Sequence, residues 1–336
     1  MNQNYAYPTE QHESGAKKFW RIVLGSMLGV ILSGLLCCFL SLISIISIAV
    51  STDTSPVIKD NSILKLSLSA PVSERATSSP FDDFEIEGLS NPQTGLDDIL
   101  KCIKNAATDP KIKGIYIQTA HVQAAPATVQ EIRDALLEFK ESGKFIYAYS
   151  DVFANNGYYL ATVADKIALN PLGSLDFKGM AGQVLFYKGL LDKLDVEIQV
   201  IRHGSFKSAV EPYILDKMSE ANRLQMSTLF NSIWDTELAH IEKSRHISKD
   251  SLNYFADNLL CNKAENVLQH GLVDQLSYYA DVEKELKTMT GIGENEDLRF
   301  ISISDYKKSV VPLKTSTNKI AVVYAVGEII DGKGND

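Results

Sequence analysis

From Ile22 to Val50 the chain carries no charged side chain, a run of about 29 residues, where about 20 suffice to cross a bilayer as a helix. A cleavable signal peptide usually has an apolar region of only about 7–15 residues. The run therefore reads as a retained signal anchor, although Ser47-Ile48-Ala49 has the small-residue pattern of a cleavage site. Lys17, Lys18 and Arg21 flank it on the N-terminal side, and the first positive residue beyond it is Lys59. Positive flanks stay in the cytoplasm. The remainder of the chain is expected on the other side, which in a Gram-negative cell is the periplasm. Residues 1–16 are polar and read as disordered.

The formal net charge is −9, and an acidic balance argues against a nucleic-acid partner, which calls for a basic face. Cys37 and Cys38 lie inside the apolar run, and Cys102 and Cys261 are far apart. No metal-ligand spacing or disulfide framework is visible, so all four are expected to be buried free thiols.

After a linker at 51–60, Ser62–Leu68 reads as a strand and Thr77–Thr94 as a loop. Leu96, Ile99, Leu100 and Ile103 recur at helical spacing. Ile112–Gln118 is strand-like. Pro126 suits the first turn of a helix with the apolar face Val129, Ile132, Leu136 and Phe139. Strands are expected at Lys144–Tyr149, Lys166–Leu169 and Val196–Arg202, with helices at Asn156–Ala164 and Phe186–Leu194. This alternation implies an α/β fold with parallel βαβ units. A long helix begins near Ser219, with an apolar stripe of Met226, Leu229, Phe230, Ile233, Leu238 and Ile241 for core or subunit packing. A shorter helix from Ala264 is stopped by Gly271.

The segment Ile198-Gln199-Val200-Ile201-Arg202-His203-Gly204-Ser205-Phe206-Lys207-Ser208-Ala209-Val210-Glu211-Pro212-Tyr213 sets one lysine among apolar and small neighbours. A lysine held in a dry pocket has a lowered pKa and can serve as a base near neutral pH. A hydroxyl nucleophile needs such a base. The segment resembles the lysine-bearing motif of the S49 signal peptide peptidases, membrane-bound serine proteases with a Ser/Lys dyad. The resemblance implies Lys207 as the general base, a ClpP/crotonase-like fold, no metal or organic cofactor, and a homo-oligomer.

The family's nucleophile element reads Ala-Ser-Gly-Gly-Tyr-Tyr, and the matching run here is Ala154-Asn155-Asn156-Gly157-Tyr158-Tyr159. Asn155 stands where the serine would be, and an amide cannot replace that hydroxyl. The expected Gly-rich oxyanion loop is also replaced, by Ala120-His121-Val122-Gln123-Ala124-Ala125-Pro126. Both departures fit the family's long form, in which a first repeat supplies the lysine and a second the serine. Lys319–Gly332 resembles the opening strand of that second copy. The implied organisation is a cytoplasmic tail at 1–21, an anchor at 22–50 and a linker at 51–60. The first peptidase repeat follows at 61–290, then a second linker at 291–318 and the first strand of a truncated second repeat at 319–336.

Other candidates are weaker. Ser205 and Ser208 adjoin Lys207 in sequence and are poorly placed to meet it as nucleophiles. Glu211 is expected to make a structural contact, since a carboxylate beside Lys207 would hold it protonated. His203 lacks an acidic orienter, and Tyr158 and Tyr159 read as packing residues. The expected function is a membrane-anchored endopeptidase acting on signal peptides and other apolar peptides. Its serine would lie beyond residue 336. The alternatives are a crotonase-like acyl-CoA enzyme and a non-catalytic scaffold in the bilayer.

Overall fold

The computed structural model describes residues 15–51, 57–75, 94–309, 318 and 320–323. The expected loop at 77–94 save Thr94, the start of the cytoplasmic tail and nearly all of the expected strand at 319–336 lie outside these residues.

The chain forms two units. The first is helix α1, Gly15–Ser51, which at 1.5 Å per residue is about 55 Å long. From Phe19 to Ile43 its large apolar side chains are exposed on every face. A helix that is apolar all round belongs in an apolar environment, and Gly15–Ser44 is long and apolar enough to cross a membrane.

The second unit is an α/β body. Its chain order begins β1 (Ser62–Leu66), β2 (Val72–Ser73), β3 (Thr94–Gly95), α2 (Leu96–Thr108), β4 (Ile112–Ile117), α3 (Pro126–Lys140), β5 (Phe145–Ala154), α4 (Asn155–Ala161) and β6 (Lys166–Asp176). It continues with α5 (Lys188–Lys193), α6 (Glu211–Ile214), α7 (Glu220–Arg245), α8 (Lys249–Asp257), α9 (Ala264–Gln269), β7 (Gln275–Leu276), α10 (Tyr279–Thr290), β8 (Phe300–Ser302) and α11 (Ile303–Ser309). Six strands form one sheet in the order β7-β6-β5-β4-β1-β8, with every neighbouring pair parallel. The expected parallel α/β class is what the chain adopts.

The strands read as nearly continuous apolar runs because both faces of the sheet are covered. Leu64, Ile115, Ile117, Ile146, Ala148, Ile167 and Leu169 face a large core shared with Ile99 and Ile103 of α2 and Val129, Ile132 and Leu136 of α3. The alternate residues Ile63, Tyr116, Tyr147, Tyr149 and Ala168 meet Val282 and Leu286 of α10 on the other face. There Tyr147 donates to Glu285 at 2.8 Å and Lys166 pairs with the same carboxylate at 2.9 Å.

Two expectations are corrected, on Val196–Arg202 and on two of the cysteines. Val196–Arg202 is not a strand; it joins no sheet, and Ile201 is fully exposed. The stripe on α7 is buried only at its C-terminal end, by Leu238 and Ile241, while Leu229 is half exposed. Of the cysteines, Cys102 and Cys261 are buried free thiols, whereas Cys37 and Cys38 are exposed on α1. Burial pushes the Cys102 and Cys261 thiols up to about 12, so neither is a nucleophile at neutral pH.

Candidate active site

In open parallel sheets, chemistry gathers at the carboxyl ends of the strands. Here β4 runs into the loop at 118–125, and β5 runs directly into α4, whose first residue is Asn155. The Asn155 Nδ2 donates to Glu237 Oε2 on α7 at 2.8 Å, while its Oδ1 is buried with no hydrogen-bond partner. Glu237 is itself buried. Desolvation raises its pKa, and the bond from Asn155 offsets this only in part. One turn further along each helix, Tyr159 meets His240 Nδ1 at 2.6 Å, and Arg133 stacks on the Tyr159 ring. Arg133 also donates to Ser244 Oγ at 2.6 Å. A polar seam thus joins α4 and α3 to α7.

The loop at 118–125 is bonded to its own neighbours. The Val122 N–H donates to Asn156 Oδ1 at 3.2 Å, and Asn156 Nδ2 returns a bond to the Val122 carbonyl at 2.6 Å. The Ala120 carbonyl accepts from the Ala154 N–H at 2.8 Å. It also lies so close to Gly157 that a Cβ there would sit 2.2 Å from it. The close approach requires glycine. Tyr158 and Tyr159 are packing residues, buried as expected; the Tyr158 hydroxyl donates to the Leu272 carbonyl at 2.8 Å.

Lys207 lies on an arm between β6 and α7. It occupies the N-cap position of a single 3-10 turn, Ser208–Val210. The arm is largely exposed: Leu185, Leu190, Leu194, Ile201 and Phe206 all face solvent, as do His203, Ser205 and Lys207. The apolar enclosure expected around Lys207 is therefore absent among the described residues. Glu211 is the exception on this arm, being almost completely buried. It accepts from the Ser219 N–H at 3.2 Å, the Ser219 hydroxyl at 2.5 Å and Asn222 Nδ2 at 3.1 Å. Burial alone would raise its pKa, but these bonds and the nearby Arg202 outweigh burial and hold it below the ordinary carboxylate value. Glu211 makes the structural contact expected of it. Glu237 and the α4–α7 seam carried no signal in the sequence, because each acquires meaning only through a distant partner.

Residues 138–293, which contain both Asn155 and Lys207, match Peptidase family S49. The chain is 37% identical over 249 residues to "Protease 4" of Salmonella typhi, covering 72% of this chain and 40% of that protein. It is 33% identical over 250 residues to "Protease 4" of Haemophilus influenzae, covering 71% and 41%. It is 28% identical over 280 residues to "Serine protease SPPA, chloroplastic" of Arabidopsis thaliana, covering 82% and 40%. The chain thus spans about two fifths of the length of these relatives.

Proposed function

This chain belongs to peptidase family S49, and on that premise we propose that it is the lysine-bearing part of a membrane-anchored serine endopeptidase. The observation that supports this reading is which residues the matched segment holds at its two motif positions. Lys207 stands exposed at a turn, with Glu211 committed elsewhere, while the nucleophile position holds Asn155. The base is present and the hydroxyl is not, so the serine comes from another copy of the fold.

In the proposed reaction, neutral Lys207 takes the proton from that serine's Oγ as the oxygen attacks the peptide carbonyl. Collapse of the tetrahedral intermediate gives an acyl-enzyme, and the lysinium returns the proton to the departing amine. A water molecule, deprotonated by the same lysine, then releases the acyl group. The lysine needs a dry surrounding to be neutral at rest, and the incoming copy of the fold supplies it by covering the apolar arm. The same exposed arm supports assembly as a homo-oligomer.

The substrates are apolar peptides, with cleaved signal peptides as the main class. Helix α1, long and apolar enough to cross a membrane, supports this. The flanking positive charges support an inner-membrane location with the body in the periplasm. A second reading, a non-catalytic scaffold, is favoured by the occupied oxyanion loop and the locked Asn155.

Hydrolysis of a fluorogenic apolar peptide separates the two. We expect cleavage by the protein continued through a serine-bearing second copy, none by the 336-residue chain, and none by the extended Lys207→Ala variant. Cleavage by the 336-residue chain alone, or by the extended Lys207→Ala protein, would overturn the divided dyad. An inactive extended protein would favour the scaffold.

A further inference from the structure

A lysine side chain is a flexible four-carbon stem, so a base of this kind is only as well placed as the backbone that carries it. Residues 195–207 contain no helix or strand, and the Lys207 main chain is held on its C-terminal side by the single 3-10 turn that it caps. Arg202 adds a side-chain bond. Its Nη1 donates to the Lys207 carbonyl at 3.1 Å, closing a loop through Gly204, whose φ of +95° is a conformation that side chains rarely tolerate. The same Nη1 lies 4.0 Å from Glu211 Oε1.

A nearly buried carboxylate on an otherwise exposed arm is costly unless it is fully bonded. Glu211 is bonded on both oxygens, and its donors belong to the first turn of α7. That helix does not need Glu211 for its cap, because Ser219 Oγ already accepts from the Asn222 N–H at 3.1 Å. The carboxylate therefore joins two segments: the turn that carries Lys207 and the helix anchored to the body through Glu237 and His240.

We propose that Arg202 and Glu211 are positioning residues for Lys207. Arg202 clamps the carbonyl of the lysine itself, and Glu211 ties that turn to the N-terminus of α7. This inference rests on Lys207 being the base. A purely stabilising Glu211 would change melting behaviour alone, whereas a positioning pair changes turnover.

The test uses the protein continued through its serine-bearing copy. Arg202→Ala, Arg202→Lys, Glu211→Gln and Lys207→Ala are compared for kcat and KM, with hydrogen exchange on each. We expect Arg202→Ala and Glu211→Gln to lower kcat by roughly 10–100-fold, with KM within about twofold, as a small misplacement of a catalytic group does. Arg202→Lys recovers part of kcat, because an ammonium donates to the same carbonyl. Amide exchange should quicken across 203–210 while the sheet stays protected. Folded Arg202→Ala protein that keeps kcat within about twofold of the parent, or that changes only KM, would overturn the inference. Should Glu211→Gln not fold, Arg202→Ala decides, since that guanidinium is one-third exposed and its removal leaves the three hydrogen-bond donors to Glu211 in place. A Lys207→Ala protein with full activity would instead bring down the base assignment, a distinguishable failure.

Discussion

At Asn155 the side-chain amide donates to a buried carboxylate, Glu237. Glu237 has its pKa raised by burial, so the native state holds its proton more tightly than the unfolded chain does. As pH rises above the ordinary carboxylate value, the unfolded state ionises first, and stability falls until the native pKa is passed. Glu237→Gln removes this ionisation while keeping an oxygen to accept from Asn155 Nδ2. Thermal melts across pH 4–8 should show the variant melting higher than the parent at pH 7, by a few degrees for a change of about 1 kcal/mol. Its dependence on pH should also be shallower. Parallel curves for the two proteins would exclude Glu237 as the source of the slope. Asn155 was legible in the sequence because it interrupts a run of residues with a known pattern. Glu237 was not, because it lies 82 residues away and reads as an ordinary polar position of a helix. Glu211 was legible, since a carboxylate so near a lysine in sequence needs a partner of its own, and Ser219 and Asn222 supply it.

Among the elements, the sheet strands were legible because burial on both faces leaves them apolar throughout. The segment Val196–Arg202 has much the same composition and yet joins no sheet. Strand propensity describes a fit to a paired, half-buried surface, and among the described residues nothing pairs with this segment. Likewise the stripe on α7 was read as one face, but only its last turns reach the core. Helix α4 is tightly fitted to its surroundings, because Gly157 touches the Ala120 carbonyl. Gly157→Ala forces the loop at 120–126 away from α4 and weakens the bond from the Ala154 N–H. A loss of about 1–3 kcal/mol is expected, as for other overpacked sites, and urea titration measures it. A midpoint unchanged from the parent would mean that the loop yields freely.

For the molecule as a whole, the sequence predicts which side of the membrane the body occupies, through Lys17, Lys18 and Arg21. Protease added to spheroplasts should digest the segment beyond residue 60, while an epitope at the N-terminus is cut only after the membrane is opened. Protection of the body in intact spheroplasts would reverse the orientation. Most of the fold was legible at this scale, since the alternation of strands and helices dictates a parallel sheet. The open setting of Lys207 was not, because neighbours in sequence do not reveal whether anything covers them. That open arm has a consequence for kinetic order. On the function proposed above, a base that becomes dry only when another copy of the fold lies over it is assembled by an encounter. On that proposal, where the two copies ride on separate chains, the rate per chain falls as the protein is diluted, and an isolated chain cleaves nothing.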